Sequence, residues 1–150
     1  MPGKFRKIAT EEAWSLPEVA QAMQTVSRYP GNSLDLLLVK GIYDAQQAAN
    51  GYSALNFLQG LLDVEERRLP EMDRLGVDMH VLALTAPGVQ MFDADTACEL
   101  ATVANDRLAE VCRKHPSRFV GLASMAPQSP KARRQGDGAG RSTSSASTAS

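Results

Sequence analysis

The sequence predicts an α/β fold in which three parallel strands alternate with helices. Short apolar runs with strand character alternate with longer stretches in which apolar residues recur at helical spacing. Residues 80–84 are almost continuously apolar, which is typical of parallel strands covered on both faces. Strands joined through helices form right-handed βαβ units, so the three strands are expected side by side in one sheet.

The first strand is predicted at residues 7–10. Ser15 is expected to cap the following helix, with Glu18 completing a capping box. This helix should extend to about Arg28, because residues 29–32 have the composition of a turn.

The middle of the chain is predicted to be mainly helical. Residues 32–53 contain apolar side chains without a clear period, and we interpret them as a partly helical insertion. Helical spacing resumes over 55–62 and again over 69–75. Pro70 should kink this helix or begin a new one, and Gly76 is the expected residue after its C-terminus.

The second strand, at 80–84, should end at the turn formed by residues 85–88. Asp95 is expected to cap a long helix that runs to about Lys114, and a third strand is predicted at 119–123. The inner side of the long helix is expected to carry Leu100, Val103, Leu108 and Val111. Three strands are too few to close a barrel of about eight.

Composition indicates a single globular unit of ordinary charge. The chain has 150 residues, a net charge of −1 and 43% hydrophobic residues, which favours neither a nucleic-acid nor a membrane partner. The longest apolar run, Leu36 to Val39, is too short to span a bilayer. The basic N-terminus is not followed by an apolar segment, so no secretory signal is predicted and a cytoplasmic location is favoured.

The two cysteines are expected to be free thiols. Cys98 and Cys112 fall in one predicted helix, about 21 Å apart along its axis. A disulfide requires Cα atoms within about 7 Å, so these two cannot pair in a straight helix.

Candidate functional residues are those at the carboxyl ends of the strands, where parallel α/β folds place their sites. Glu11 and Glu12 follow the first strand, and Thr85 follows the second. Neighbouring strand residues point to opposite faces, so only one of the two glutamates can face a site; both could instead form a solvated strand end. His80, at the start of a strand, and His115, at a helix C-terminus, favour structural roles.

Residues 8–14, Ile-Ala-Thr-Glu-Glu-Ala-Trp, resemble the opening of the amidohydrolase-related family, in its aminocarboxymuconate-semialdehyde decarboxylase-like branch. The resemblance covers roughly residues 6–130 and is strongest to decarboxylases of the 5-carboxyvanillate and γ-resorcylate type. Its further segments are 61–63, 66–68, 72–73, 75–78, 82–90, 104–109, 116–119 and 126–128.

The resemblance implies that residues 1–130 form the N-terminal part of a metal-dependent TIM-like barrel. Complete members of this family decarboxylate an aromatic carboxylic acid without oxidation, or hydrolyse a related substrate, with a divalent metal, Zn or Mn. Glu11 matches the family's first metal ligand, and Ala13 stands where many members have a histidine ligand. The resemblance implies that Thr85 could border the substrate and that Arg68 or its neighbour Arg67 could neutralise its charge, although a place on a helix surface is favoured for both arginines.

No catalytic residue is assigned within this chain. In the family, the remaining metal ligands and the catalytic aspartate belong to later strands, and about three protein ligands are needed for a catalytic metal. The chain by itself is therefore expected to be inactive.

Residues 131–150 are rich in Gly, Ser and Arg and predict a disordered tail. Codons allowed for residues 135–141, read one base later, can encode Arg-Ala-Met-Glu-Arg-Ala-Val, which would suit a family helix. This favours a frameshift near residue 131, a hypothesis that resequencing the gene would test.

Two functional hypotheses follow. In the first, the chain descends from a metal-dependent decarboxylase or hydrolase. In the second, it is an inactive fragment that acts as a small α/β association module, with a second copy or a full-length paralogue as its partner. Unpaired strand edges and apolar faces favour such association, and predict an isolated product that is partly folded or oligomeric. A flavodoxin-like domain is disfavoured because no phosphate-binding loop follows the first strand.

Overall fold

The computed structural model describes residues 5–43 and 54–129. The predicted tail, the frameshift and residues 44–53 of the insertion lie outside this part and stay predictions. The elements in chain order are β1 (Ile8–Trp14), α1 (Pro17–Ser27), α2 (Leu34–Tyr43), α3 (Ala54–Leu62), α4 (Arg68–Leu75), β2 (Met79–Leu84), a 3-10 helix (Gly88–Met91), α5 (Ala94–Lys114) and β3 (Phe119–Leu122).

The three strands form one parallel sheet in the order β1-β2-β3, which confirms the predicted βαβ organisation. Paired residues of neighbouring strands point to the same side of a sheet. One side, which packs against the helices, is the helix-covered face. It carries Glu12, Trp14, His80, Leu82, Phe119 and Gly121.

The opposite side of the sheet, which we call the open face, is only partly covered in the described residues. It carries Ile8, Val81, Ala83, Val120 and Leu122. Ile8, Val120 and Leu122 are 48%, 43% and 53% exposed, whereas Leu82 on the other face is fully buried. In β2 itself, Val81 and Ala83 are half-buried, so within the described residues this strand is fully buried only on the helix-covered face.

Strand β1 is longer than predicted and carries a bulge. Ala9 pairs with His80 and Glu12 pairs with Leu82, so Thr10 and Glu11 together lie opposite the single residue Val81. An extra residue in one strand is the mark of a β-bulge. The strand resumes after the glutamates, because residues 12–14 pair with residues 82–84. The prediction that β1 ends at residue 10 is therefore wrong.

The prediction of Ser15 as a helix cap is wrong. Helix α1 begins at Pro17, and its N-cap residue is Leu16, whose φ of −136° and ψ of 157° are still extended. The chain thus remains extended beyond Ser15, whose backbone N–H donates to the Leu61 carbonyl at 2.9 Å. Pro17 at the first helical position needs no hydrogen-bond acceptor there, which suits this uncapped start.

The N-cap of α5 is Asp93, two residues before the predicted Asp95. Asp93 Oδ1 accepts from the backbone N–H groups of Asp95 and Thr96 at 3.1 and 3.0 Å. The Thr96 hydroxyl donates to Asp93 Oδ2 at 2.7 Å, and these hydrogen bonds lower the pKa of the Asp93 carboxyl. Val103, predicted on the inner side, is 38% exposed. The buried stripe of α5 is Ala97, Ala101, Ala104 and Leu108.

Several local predictions are confirmed. Gly76 follows α4 with a left-handed φ of 65°, as expected for a residue that ends a helix. Pro70 lies in the first turn of a new helix, α4, rather than at a kink. Cys98 and Cys112 both lie in α5 as free thiols. None of the helices in the described residues has the length and apolar character needed to cross a membrane.

Candidate active-site face

Glu11 is exposed at the bulge of β1, on the side of the strand that the helices leave uncovered. Its neighbour Glu12 points the other way and pairs with side chains on the helix-covered face. The bulge therefore separates the two carboxylates, and Glu11 alone is available to a ligand on the open face.

Glu12 forms a polar cluster with Arg68 and His80 on the helix-covered face. Its Oε2 lies 3.3 Å from Arg68 Nη1 and 3.5 Å from His80 Nδ1. A cavity of about 580 Å³ borders these three side chains, between β1 and the helices α3 and α4. The structure therefore does not bring Arg68 and Glu11 together, and Arg68 is not placed to touch a substrate on the open face.

The surroundings of His80 are expected to make the free energy of unfolding depend on pH. Burial lowers its pKa, nearby Arg68 and Arg118 lower it further, and Glu12 opposes this shift. A histidine in an unfolded chain has a pKa of about 6.5, so the unfolded state binds the proton more readily than the folded state. The folded state is then favoured above this pH and loses stability as the pH falls through about 6.5 and below.

We expect urea unfolding at several values between about pH 5.5 and 7.5 to show a falling free energy of unfolding on the acid side. In the His80→Gln variant this slope should be absent. The matched control, His115→Gln, removes the only other histidine and should keep the His80-dependent slope. A wild-type chain with a flat profile over this range would contradict the prediction.

Thr85 lies at the carboxyl end of β2, beside the end of β1. Its backbone N–H donates to the Trp14 carbonyl at 2.9 Å, and its carbonyl accepts from Gly88 at 2.9 Å. Trp14 is three residues beyond Glu11, so Thr85 lies about 10 Å from Glu11 along the strand direction. The residue is 9% exposed, which places it beneath the turn rather than at the surface.

Two amide side chains that the sequence analysis did not single out hold the loops at this edge of the sheet. Asn105 of α5 donates to the Ser124 carbonyl at 2.9 Å and accepts from the Ser124 N–H at 2.7 Å. Gln128 Nε2 donates to the carbonyls of Val89 and Phe92 at 3.1 and 2.8 Å. Both amides lie in segments that resemble the family, and this placement is the feature of the sequence that could have pointed to them.

A metal centre does not form from the described residues alone. Within residues 5–43 and 54–129, no group of three His, Cys, Asp or Glu side chains is close enough to hold an ion. A catalytic metal usually takes about three protein ligands, and Glu11 supplies one exposed carboxylate. Any complete site on the open face would need ligands from outside the described residues.

Several known proteins similar to this chain are decarboxylases of aromatic acids. The chain is 33% identical over 127 residues to gamma-resorcylate decarboxylase of Rhodococcus jostii, a match that spans 84% of this chain and 32% of that protein. The crystal structure of 5-carboxyvanillate decarboxylase from Sphingomonas paucimobilis matches with a TM-score of 0.80 and 46% identity, over 88% of this chain and 38% of that one. No protein-family model matches the sequence.

A second 5-carboxyvanillate decarboxylase, from Novosphingobium aromaticivorans, matches with a TM-score of 0.77 and 40% identity, over 90% of this chain and 38% of that one. Its crystal structure contains manganese and 4-hydroxy-3-methoxy-5-nitrobenzoic acid. The chain thus spans about a third of the length of the relatives it matches.

The parallel βα units match the N-terminal part of TIM-barrel decarboxylases, so the predicted fold class is confirmed. More specifically, the relatives matched at 30% identity or more are decarboxylases of aromatic acids, and the chain corresponds to about a third of the length of such an enzyme.

Proposed function

We propose that this chain contributes the first metal ligand, Glu11, to a decarboxylase that acts on an aromatic carboxylic acid. The observation that carries the proposal is the exposed Glu11 carboxylate on the open face, separated by the bulge from the paired Glu12. The relatives support the substrate class and the metal, because they are decarboxylases whose structures contain manganese. Manganese or zinc would act as a Lewis acid toward the substrate's carboxylate and neighbouring oxygen.

The residues of this chain would have distinct tasks at such a site. Glu11 would bind the metal, and the turn beginning at Thr85 would border the substrate at the carboxyl edge of the sheet. Asn105 and Gln128 would keep the neighbouring loops in place through their paired hydrogen bonds. Arg68 lies on the helix-covered side of β1, and this placement favours support of β1 over contact with a substrate.

The experiment is complementation by a separately expressed protein. The full chain is mixed with the C-terminal part of the Sphingomonas paucimobilis enzyme, which contains the remaining portion of a matched barrel. We expect the mixture to take up manganese, measured by plasma mass spectrometry, and to decarboxylate 5-carboxyvanillate, whereas neither component does so alone. Glu11→Gln should abolish both readouts, because a neutral amide is a much weaker ligand than a carboxylate.

The control variant is Glu99→Gln, which removes an exposed carboxylate on α5 and should keep manganese and activity at the wild-type level. Manganese uptake and turnover that survive Glu11→Gln would refute Glu11 as a ligand. Decarboxylation of 2,6-dihydroxybenzoate in place of 5-carboxyvanillate would assign the chain to the gamma-resorcylate type.

The association module is the second candidate function, and the exposed apolar side chains of the open face favour it. Ile8, Val120 and Leu122 are each at least 43% exposed, and they lie on a face of the sheet that another chain could cover. Its partner would be a second copy or a full-length paralogue. In the complementation experiment, stable association without manganese or turnover would favour this function over the enzymatic one.

A further inference from the structure

Arg68 joins three elements from the helix-covered side of β1. Its Nη1 donates to Glu12 Oε2 at 3.3 Å, and its Nη2 donates to the Ala13 carbonyl at 2.7 Å. The same Nη2 reaches the Gly60 carbonyl of α3 at 3.5 Å. The side chain is only 11% exposed. The first residue of α4 is thereby tied to β1 and more loosely to α3.

The two acceptors on β1 follow directly after the bulge. Thr10 and Glu11 lie opposite the single residue Val81, and regular pairing resumes at Glu12. A bulge interrupts the hydrogen-bond ladder, so the direction of its extra residue depends on how the flanking residues are held. Glu12 and Ala13 are the flanking residues on the carboxyl side, and Arg68 holds a side chain of one and the carbonyl of the other.

We infer that Arg68 is a positioning residue that fixes the bulge of β1 so that Glu11 projects onto the open face. This inference rests on the proposed function, in which Glu11 binds the metal. Arg68 acts from the helix-covered side of β1, through its hydrogen bonds to Glu12 and Ala13. Its planar guanidinium donates to two acceptors at once, which a lysine ammonium on a flexible stem does with less geometric definition.

Arg68 is expected to stay charged at neutral pH, so its contact with Glu12 is a lasting ion pair. Burial lowers the pKa of Arg68, while Glu12 and Asp63 oppose this shift. An arginine starts from a value so high that the guanidinium stays charged at neutral pH. Loss of Arg68 would leave the Glu12 carboxylate partly buried without its arginine partner, and loss of Glu12 would remove the one carboxylate among the described residues that Arg68 hydrogen-bonds, so both are expected to be needed.

The test compares Arg68→Lys with Arg67→Lys in the full isotope-labelled chain by NMR. Arg67 is the adjacent, exposed arginine and provides a matched control. We expect Arg68→Lys to accelerate amide hydrogen exchange at residues 12–14 by about tenfold, the scale of losing hydrogen bonds to a charged group. The three-bond couplings of the Glu11 β-protons should move toward rotamer-averaged values, while β3 amides keep their wild-type exchange.

Unchanged exchange and couplings in Arg68→Lys would overturn the inference. Equal acceleration in β3 would overturn it as well, because it would indicate a general loss of stability. Glu12→Gln is the second variant, in case Arg68→Lys fails to fold, and it should give the same local changes at residues 11–14. Arg67→Lys should match the wild type in both readouts.

The complementation mixture separates this inference from the proposed function. If the wild-type mixture binds manganese, Arg68→Lys should need about tenfold more manganese for half-saturation, and an unchanged affinity would contradict positioning. If the wild-type mixture binds none, the proposed function fails, while the exchange and coupling data still decide whether Arg68 sets the conformation of the bulge.

Discussion

Replacing Trp14 by alanine is expected to lower the free energy of unfolding by about 3–5 kcal/mol, the range for removing a large aromatic side chain from a core. Trp14 ends β1, is 2% exposed and belongs to the main hydrophobic cluster. Single domains are stabilised by about 5–15 kcal/mol, so this loss removes a large share of the total. Urea unfolding followed by circular dichroism measures the difference.

The Trp14→Phe variant is the matched control for the loss of volume. It keeps an aromatic ring and removes the indole N–H, which has no hydrogen-bond partner among the described residues. Removing an unpaired buried donor is favourable and offsets part of the lost packing, so Trp14→Phe should cost much less than Trp14→Ala. Equal losses for the two variants would show that the ring itself contributes little to the core.

Replacing Gly121 by alanine is expected to destabilise the fold by about 1–3 kcal/mol, the cost of overpacking. A Cβ atom at Gly121 would lie 2.5 Å from both Cγ and Cδ2 of Leu108. Leu108 is 5% exposed and belongs to the face of α5 that packs on the sheet, so its whole side chain or the helix must move. The measured quantity is again the free energy of unfolding in urea.

A double-mutant cycle tests whether the contact with Leu108 causes the destabilisation by Gly121→Ala. Leu108→Ala alone should cost about 2–5 kcal/mol, and Gly121→Ala should cost much less in that background because the clash is gone. Gly41→Ala is the control: among the described residues, apart from its chain neighbours and the backbone of its own helix, no atom lies within 4 Å of the added Cβ, and Gly41 lies inside α2. It should raise stability by up to about 1 kcal/mol, since alanine is the better helix former. Additive costs at Gly121 and Leu108 would place the effect elsewhere.

Elements with a strong local pattern could be predicted from the sequence, and their ends could not. The apolar run of β2 and the long amphipathic pattern of α5 each identified an element. The cap of α5 was misplaced because Asp93 and Asp95 are both good cap residues, and only the extended backbone of Asp93 selects it. Ser15 fits a capping sequence equally well, but the extended chain places Leu16 at the N-cap.

For the candidate site, the resemblance to a family predicts Glu11 as a metal ligand, and this assignment stays a prediction. Tertiary contacts are what distinguish Glu11 from its neighbour Glu12. Glu11 and Glu12 are chemically identical, so no local rule distinguishes them. In the structure Glu12 faces the helices and contacts Arg68, whereas Glu11 lies in the bulge and is exposed. Arg68 was predicted to contact substrate, but it is 56 residues from Glu12 in sequence, and nothing local indicates their contact.

The sequence by itself determined the class of fold, the parallel arrangement of the strands and the resemblance to a group of decarboxylases, because periodicity and family segments are local in the chain. Only the tertiary structure decided which face of the sheet is open, where β1 bulges and which of two glutamates that face presents. These depend on pairing between β1 and β2, about 70 residues apart, and on the reach of Arg68 across the strand. Strand register and long-range side-chain contacts leave no periodic trace in either segment alone.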